Sequence, residues 1–392
     1  MTQDWPTKTL GETCEIKPPK SEARDRVSSH GLVSFLPMED LGIEEKFVRA
    51  TQTKPLSAVV GSYTYFADGD VLLAKITPCF ENGKLGIADG LANGIGFGSS
   101  EYIVFRPNET LNKEWLYYYL SRENFRVEGA GRMSGAVGHK RVAKEFIETY
   151  TIPVPPLSEQ RRIVGILDEA FDGIAIATTN AEKNLQNSRT LFDSYLHSVF
   201  SQRRKGWLAK RLGDVCEYVN GKAHEQCIDE NGRFIVINSK FISSEGAVFK
   251  RSQQALLLLH PGDIAMVLSD VPNGRALAKC YLVEEENAYT LNQRICLIRS
   301  THFHPHFLFY QLNRNKYFLA FDNGENQTNM RLNQVLSCPL FLPPLLEQRA
   351  VAAELDSMSE HVRHLQSIYE QKLKMLGELK RSLLHSAFHG EL

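Results

Sequence analysis

The chain has 392 residues, 43% hydrophobic and 23% charged, which is the composition of a folded globular protein with room for two or three domains. It has no apolar run of about 18 residues and no signal segment, so we expect neither a membrane span nor export. Seven cysteines without a C-x-x-C pair fit reduced thiols in the cytoplasm. The net charge of −1 restricts any nucleic-acid surface to a local patch.

Five short motifs occur twice in the chain, in the same order. The pairs are 10–15 with 212–217, 69–72 with 262–265, 115–120 with 307–312, 155–161 with 343–349, and 195–200 with 383–388. The separation between copies falls from 202 to 188 residues over the first four pairs and then stays at 188. Loops tolerate insertions and packed helices do not, so each copy is predicted to be a variable globular domain followed by a helix of fixed length.

In chain order, this organisation predicts an α+β protein with four segments. They are a first globular domain over 1–154, a helix over 155–202, a second globular domain over 203–342 and a helix over 343–392. Each helix follows a proline pair, which holds the preceding residue extended, and Ser158 is the expected N-cap of the first helix. At ~1.5 Å per residue, each helix would be a rod of roughly 65 Å.

Apolar or small residues recur along both helices at alternating spacings of four and three, which is the pattern of a coiled-coil seam. The predicted seam of the first helix is rich in alanine: Ile163, Leu167, Ala170, Ile174, Ala177, Ala181, Asn184, Ser188, Leu191 and Tyr195. The predicted seam of the second helix has larger residues: Val351, Leu355, Met358, Val362, Leu365, Tyr369, Leu376, Leu379 and Leu383, interrupted by Lys372. We expect small-against-large packing between the helices, in a direction that the pattern leaves open. The alternative is that each helix packs on its own domain.

Motifs for catalysis are absent from the sequence or have a simpler explanation. There is no G-x-x-x-x-G-K-[ST] phosphate loop and no Asn/Asp-Pro-Pro-Tyr/Phe motif of amino-methyltransferases. Glu15-Ile16-Lys17 has the E-x-K form of nucleases but lacks a suitably placed Asp before it, so a solvated strand end is expected. The glycines of Gly94-Ile95-Gly96-Phe97-Gly98 indicate a flexible turn rather than a cofactor cradle.

Three alternating histidines, His302, His304 and His306, could bind a metal if they lay on an extended strand. In the repeat they lie just before an aromatic helix, so the favoured interpretation is a helix entry with proline in its first turn. The aromatic runs 117–119 and 307–310 are predicted to lie in the core rather than to stack on bases. We therefore predict no catalytic residue, no metal site and no cofactor.

Three segments resemble the specificity subunits of type I restriction–modification enzymes. They are Pro-Pro-Leu-Ser-Glu-Gln-Arg-Arg-Ile-Val at 155–164, its diverged copy at 343–352, and the ending Ala-Phe-His-Gly-Glu-Leu at 387–392. The resemblance spans the whole chain, although the second copy departs from the motif at Leu346 and Ala350.

The resemblance implies that the long helices run antiparallel and hold two target-recognition domains at a fixed distance. Each domain would read one half of a split double-stranded DNA sequence. Two methyltransferase subunits would dock on the scaffold, with ATP-driven restriction subunits attached through them. The chain itself would be a non-catalytic, cytoplasmic specificity subunit. The alternatives from other classes are a stand-alone DNA-modifying enzyme and a helical scaffold without a DNA role.

Four segments are candidate DNA contacts, two in each copy. Residues 129–141 are rich in glycine, which lets backbone amides approach phosphates, and 323–333 carry side chains that suit adenine and guanine. Residues 75–84 and 269–275 follow probable strands and present cations for phosphates. The side chains predicted to bind DNA are Lys75, Lys84, Arg132, His139, Lys140, Arg141, Arg275, Asn326, Gln327, Asn329, Arg331 and Asn333. The alternative is that these segments are ordinary polar loops.

Overall fold

The chain divides into two compact units in the computed structural model. The model describes residues 5–136, 138–201 and 206–392. Unit 1 is Met1–Glu182 with Gln371–Leu392, and unit 2 is Lys183–Glu370. Val137 of the first glycine-rich segment and the expected domain start at residue 203 fall outside the described residues. Each unit contains one lobe of sheets and short helices together with parts of two long helices.

Lobe 1 is the part of unit 1 that precedes the first long helix. Its strands are β1 (Thr7–Thr9), β2 (Cys14–Ile16), β3 (Leu32–Leu36), β4 (Phe47–Val48), β5 (Gln52–Pro55), β6 (Thr64–Ala67), β7 (Val71–Ala74), β8 (Leu85–Ala88), β9 (Ile95–Gly98), β10 (Tyr102–Pro107) and β11 (Thr151–Pro153). Its helices are α1 (Leu10–Thr13), α2 (Ser21–Arg26), α3 (Leu56–Val59), α4 (Lys113–Ser121), α5 (Glu123–Gly131) and α6 (Lys144–Thr149), with 3-10 turns at Met38–Asp40 and Ala92–Gly94. The long helix α7 (Leu157–Ser201) follows.

Two mixed sheets form lobe 1, in the orders β2-β10-β7-β8-β4 and β5-β3-β9-β6, with β1 and β11 as a separate antiparallel pair. The helix α4 supplies Trp115 and Leu116 to the same hydrophobic core as Leu73 and Ile87 of the five-stranded sheet. The aromatic run on α4 is buried, as the sequence predicts.

Lobe 2 is the part of unit 2 between the long helices. Its strands are β12 (Leu208–Arg211), β13 (Glu217–Asn220), β14 (Phe234–Ile237), β15 (Lys250–Ser252), β16 (Ile264–Val267), β17 (Ser269–Asp270), β18 (Cys280–Leu282), β19 (Tyr289–Leu291), β20 (Ile295–Arg299), β21 (Thr328–Asn329) and β22 (Pro339–Leu342). Its helices are α8 (Leu212–Val215), α9 (Ser239–Ser243), α10 (Pro305–Leu312), α11 (Lys316–Leu319) and α12 (Leu332–Leu336), with a 3-10 turn at Glu225–Cys227. The long helix α13 (Leu345–Phe388) follows.

The sheets of lobe 2 repeat those of lobe 1 in outline. Their orders are β13-β20-β16-β18 and β15-β14-β19, with the antiparallel pairs β12-β22 and β17-β21. Each lobe contains an equivalent ion pair with a buried aspartate, since Arg106 Nε lies 2.9 Å from Asp70 Oδ1 in lobe 1 and Arg299 Nε lies 2.6 Å from Asp263 Oδ1 in lobe 2. The repeat seen in the sequence is therefore a repeat of structure.

Both long helices begin directly after their proline pair. The amide of Gln160 donates to the carbonyl of Pro156 at 3.0 Å, and that of Gln348 donates to the carbonyl of Pro344 at 3.1 Å. The expectation that Ser158 is the N-cap is wrong, because the first helical hydrogen bond already reaches back to the proline and Ser158 lies inside the first turn. In the second helix, Leu346 stands at the position of Ser158 and likewise lies inside the first turn.

A buried glutamine joins each long helix to its lobe. Gln160 Nε2 donates to the carbonyls of Thr110 and Pro155, at 2.9 and 2.8 Å, and its Oε1 accepts from the amide of Asn112 at 2.8 Å. Gln348 makes the same three contacts, with His302, Pro343 and His304. Buried polar groups need partners, and here one amide satisfies three backbone groups at once.

The long helices are antiparallel within each unit. In unit 1, Arg162 Nη2 donates to the carbonyl of Leu392 at 2.7 Å, while Lys380 Nζ lies 5.3 Å from the ring of Phe171. In unit 2, Tyr195 donates to Glu354, and Arg189 lies 3.8 Å from Glu370. In each unit, residues later in α7 contact residues earlier in α13. This confirms the antiparallel pairing that the family resemblance implies.

The predicted seam shifts by one residue along part of each helix. Leu191, Leu365 and Leu379, which were expected in the seam, are 49%, 38% and 48% exposed. Phe192 and Val199 pack in the core of unit 2 instead. An α-helix has 3.6 residues per turn, so a strict four-three pattern drifts off the contact line unless the helices supercoil.

The last turn of each long helix packs on the aromatic helix of the unit in which it ends. The ring centroid of Phe388 lies 4.4 Å from the ring centroid of Trp115 and 4.9 Å from that of Tyr119. The ring of Phe200 lies 5.5 Å from that of Phe307. Each unit therefore holds the start of one long helix through glutamine and the end of the other through phenylalanine.

One sequence expectation in lobe 1 is wrong, and two others, one in each lobe, are confirmed. The segment Gly94–Gly98 is not a flexible turn, because Ile95–Gly98 form the buried strand β9, where a Cβ on Gly96 would lie 2.1 Å from the Phe66 ring. Glu15 is exposed near the end of β2, as expected for a solvated strand end. In lobe 2, His304 is the N-cap of α10 and Pro305 lies in its first turn, as predicted.

No helix within the described ranges is both long enough and apolar enough to traverse a lipid bilayer. All seven cysteines are free, and four of them are buried, which agrees with the expectation of reduced, mostly buried thiols.

Replacing the buried glutamine tests the joint between helix and lobe. Gln160→Met keeps the size of the side chain but leaves three backbone groups without their partner. At about 1–3 kcal/mol for each unpaired buried group, we expect a loss of several kcal/mol of stability, seen as a lower urea midpoint of the full chain. Gln186→Met, at an exposed position of the same helix, is the matched control. Equal urea midpoints for the two variants would show that the hydrogen bonds of Gln160 do not stabilise the contact between α7 and lobe 1.

Candidate nucleic-acid interface

The two candidate segments of lobe 1 lie side by side. The amide of Val142 donates to the carbonyl of Lys75 at 3.0 Å, and the amide of Thr77 donates to the carbonyl of Lys140 at 3.0 Å. Ile76 and Arg141 form an antiparallel bridge. We call residues 75–84 with 129–141 loop pair 1. The structure thus brings together two segments that the sequence separates by about 50 residues.

The two candidate segments of lobe 2 make the same arrangement, which we call loop pair 2 (residues 269–275 with 323–333). The amide of Met330 donates to the carbonyl of Leu268 at 2.9 Å, and β17 pairs with β21. Gln327 Nε2 also donates to Ser269 Oγ at 2.8 Å. Both lobes therefore present a pair of polar loops at the same place in the fold.

In loop pair 1, the guanidinium of Arg141 is held by a carboxylate that the sequence did not single out. Arg141 Nη2 and Nε donate to Glu101 Oε1 and Oε2, at 2.7 and 3.0 Å. The hydrogen bond from Arg141 and the nearby charge of Lys75 lower the pKa of Glu101. The carboxylate thus stays ionised at neutral and mildly acid pH, and the pair is lost only as the pH falls through this lowered pKa.

The other cations of loop pair 1 differ in how strongly the fold engages them. Arg132, His139 and Lys140 are exposed, and the guanidinium of Arg132 lies 5.3 Å from the Phe146 ring. Lys140 has no side-chain hydrogen bond or ion pair within the part of the chain that the structure describes. Lys75 Nζ donates to the carbonyl of Ser100 at 3.0 Å and lies 3.9 Å from Glu101 Oε2.

Lys84 is engaged by the backbone of lobe 1. Its Nζ donates to the carbonyls of Met38 and Glu39, at 2.7 and 3.2 Å, and the residue is only partly exposed. These bonds hold the 3-10 turn at Met38–Asp40 against the loop. The geometry therefore favours a structural role for Lys84 over a contact with phosphate.

Loop pair 2 presents amide side chains together with two arginines, whereas the predicted side chains of loop pair 1 are all cations or histidine. Arg275, Asn326, Gln327, Asn329, Arg331 and Asn333 are all exposed. Asp270 organises the loop before Arg275, since its carboxylate accepts from the amides of Ala276 and Leu277 at 2.6 and 3.0 Å. Amide side chains pair bidentately with adenine, whereas cations bind phosphate or guanine.

Glu101 and Arg294 lie outside the predicted segments, and Asp270 lies inside the segment 269–275 but was not singled out. Glu101 contacts Arg141, which only folding brings near, and Arg294 lies at the equivalent place on the sheet of lobe 2. Asp270 contacts backbone amides six and seven residues later in its own loop. Aligning the two copies through the strands next to the loops would have placed Glu101 and Arg294 at equivalent positions. Among the described residues, no three His, Cys, Asp or Glu side chains group together as a metal site.

The family model described as the type I restriction modification DNA specificity domain matches residues 2–186 and 204–371. The chain belongs to this family. The two matches correspond to the two copies of the repeat, each with one lobe and part of one long helix. The residues that match therefore include both loop pairs.

Similar proteins include specificity subunits of type I restriction enzymes. The EcoEI and EcoAI subunits of Escherichia coli are each 39% identical to the chain, over 219 and 165 residues. These matches cover 56% and 42% of the chain but only 36% and 27% of the relatives, so the chain spans about a third of their length. The MjaVIII subunit of Methanocaldococcus jannaschii is 24% identical and matches over 100% of the chain and 94% of that protein.

Two solved structures share the fold over nearly the whole chain. A chain from a structure of a type I R-M system has a TM-score of 0.82 and 19% identity, covering 100% of both chains. The HsdS subunit from Thermoanaerobacter tengcongensis has a TM-score of 0.64 and 19% identity, covering 99% of this chain and 97% of that one. At this identity the likeness establishes the fold alone.

Two lysines of loop pair 1 should give opposite results when replaced. Lys140→Ala removes an unpaired cation, so DNA affinity should fall equally on all sequences, with a salt slope smaller by about 1 and an unchanged urea midpoint. Lys84→Ala removes hydrogen bonds to two carbonyls, so the midpoint should fall while the salt slope stays.

Fluorescence anisotropy with duplex DNA at several salt concentrations, alongside urea unfolding, measures both effects. A normal salt slope for Lys140→Ala together with a reduced slope for Lys84→Ala would reverse the assignment of the two lysines.

Proposed function

We propose that the chain is the DNA sequence-specificity subunit of a type I restriction–modification complex, in which each lobe reads one half of a bipartite target. The observation that carries this proposal is the duplicated loop pair, placed at the same strands in both lobes of a chain that belongs to the DNA specificity family. One reader in each lobe requires two half-sites.

The chemistry of the loops supports DNA as the ligand. Loop pair 1 offers exposed cations that suit phosphates, and loop pair 2 offers exposed amides that suit base edges together with Arg275 and Arg331. The two lobes differ in these side chains although their scaffolds agree. Different half-sites for the two lobes follow from this difference.

Residues 1–154 and 203–342 are proposed as the two target-recognition domains, and 155–202 and 343–392 as the helices that set the spacing between them. The equal length of the helices after the proline motif supports this division, since a helix pair that sets a fixed spacing cannot gain or lose residues in one helix only. The antiparallel pairing within each unit supports it as well. A separation of half-sites near one helical turn, ~10 bp, would place both on one face of the duplex.

Two methyltransferase subunits are proposed to dock on the long helices, with restriction subunits attached through them. Leu379 in unit 1 and Leu191 in unit 2 are both exposed although expected in the seam, and the two positions are equivalent in the repeat. The repeat thus presents the same helical surface twice, which suits two copies of one partner. The family's adenine methylation requires a flipped base in the partner's pocket, and the chain carries no methyltransferase motif of its own.

Mapping methylated adenines in a genome that carries this subunit and its methyltransferase tests the proposal. We expect one split motif with two specific halves and a non-specific gap. A continuous motif would contradict the two-reader arrangement. Electrophoretic binding of the chain to duplex DNA, with and without the methyltransferase, separates the alternatives: no binding in either case favours a scaffold without a DNA role, and methylation by the chain alone favours a DNA-modifying enzyme.

Lengthening the helices tests whether they set the spacing between the half-sites. Seven residues are two helical turns, so a heptad inserted into both helices, in α7 near Lys183 and in α13 near Gln371, keeps the seam and adds about 10 Å. We expect the gap in the methylated motif to grow by about 3 bp, because each base pair rises about 3.4 Å. The same insertion in one helix only should abolish methylation or alter the gap.

Seven residues inserted into the exposed loop at Glu284–Asn287 serve as the matched control and should leave the gap unchanged. An unchanged gap after insertion into both helices would show that the helices do not set the spacing.

A further inference from the structure

Arg141 is the one predicted DNA-binding cation, among the described residues, whose guanidinium is fixed by a bidentate carboxylate. Glu101 accepts through both oxygens, at 2.7 and 3.0 Å, and the carbonyl of His139 accepts from Arg141 Nη1 at 3.1 Å. The Glu101 side chain is 21% exposed and that of Arg141 is 46% exposed. The carboxylate thus lies behind the guanidinium, which faces the solvent at loop pair 1.

The hydrogen bonds of Arg141 leave two donors unused. An arginine has five N–H groups, and the contacts with Glu101 and His139 use one on Nε, one on Nη1 and one on Nη2. One N–H remains on each terminal nitrogen. Two parallel N–H groups on the terminal nitrogens match the O6 and N7 acceptors of guanine in the major groove.

The charge of the pair also favours a base over a phosphate. Glu101 neutralises most of the positive charge of Arg141, so the pair attracts a phosphate less than an isolated cation such as Lys140 does. The hydrogen-bonding geometry of the guanidinium is kept, and its side chain is already ordered before DNA arrives. Preorganised donors with little net charge are suited to reading a base edge.

Lobe 2 has a different pair at the same place. The amide of Lys75 donates to the carbonyl of Glu101 at 3.0 Å, and the amide of Leu268 donates to the carbonyl of Arg294 at 3.1 Å, so Glu101 and Arg294 are equivalent. Asn329, which pairs with Ser269 on β17, is the equivalent of Arg141. Lobe 2 therefore presents an amide beside an exposed arginine and has no carboxylate at this position.

We propose that Glu101 is a specificity-determining residue, which positions Arg141 to read a guanine in the half-site of lobe 1. This inference rests on the proposed function. Arg141 contacts the base, and Glu101 acts through Arg141 as a positioning residue. The half-site of lobe 2 has no such arginine–carboxylate reader.

The test uses the full chain purified with its methyltransferase partner and duplexes based on the wild-type motif. Each specific base pair of both half-sites is changed in turn, and binding of every duplex is measured at several salt concentrations. Wild type is compared with Arg141→Lys, Glu101→Gln and Glu101→Asp. The controls are Glu81→Gln, which removes a carboxylate of the same loop pair that does not contact Arg141, and Lys140→Gln.

Arg141→Lys should lose roughly five- to 150-fold of discrimination at one G·C pair, because an ammonium cannot reproduce the bidentate contact. Glu101→Gln should lose discrimination at the same pair, since its amide offers one acceptor in place of two. Its affinity for mismatched duplexes should stay or rise, because a negative charge near DNA is gone. A merely structural role of Glu101 would instead lower affinity on every duplex.

Glu101→Asp should recover part of the discrimination, because it restores the carboxylate on a shorter side chain. Glu81→Gln should keep wild-type discrimination, and Lys140→Gln should weaken all duplexes equally. The result that overturns the inference is unchanged discrimination at every G·C pair in both Arg141→Lys and Glu101→Gln, with the wild type specific. A wild-type complex that shows no bipartite specificity would instead overturn the proposed function itself.

Discussion

The joint between each long helix and its lobe depends on one buried glutamine. Gln160 and Gln348 each bind two carbonyls and one amide, and these groups belong to the proline turn and to the loop before the aromatic helix. With three backbone groups satisfied by one side chain, the start of the helix has a single orientation on its lobe. A loss of this orientation would move the helix relative to the sheets that carry the loop pair.

Two copies of one scaffold carry different surface chemistry. The ion pairs Asp70–Arg106 and Asp263–Arg299 and the glutamine joints are the same in both lobes. The loop pairs differ, because lobe 1 has Arg141 bound by Glu101 where lobe 2 has Asn329 at the equivalent position. Loops at the surface can vary without changing the core that supports them, so the two loop pairs can differ on one scaffold, as the proposal of two different half-sites requires.

Much of the fold was predictable from neighbouring residues. The proline pairs, the aromatic runs and the constant separation of 188 residues indicate the two long helices and the repeat, and His304-Pro305 indicates a helix start. The candidate site was predictable only as segments. The structure pairs the four predicted loops two by two, but Lys84 contacts the backbone of lobe 1. The contact of Glu101 with Arg141 was not predictable, because Glu101 lies 40 residues before Arg141 with no local motif.

By itself, the sequence determined the duplication, the α+β class, the equal lengths of the helices and the family resemblance, because each of these rests on short motifs and their spacing along the chain. The periodicity left the direction of the helices open, and the tertiary structure showed that they are antiparallel within each unit, as the resemblance implies. The tertiary structure alone decided that Gly96 of β9 makes room for Phe66 and that Glu101 holds Arg141. These features are contacts between residues far apart in the chain. Their geometry depends on how the sheets and helices pack, and no local pattern encodes it.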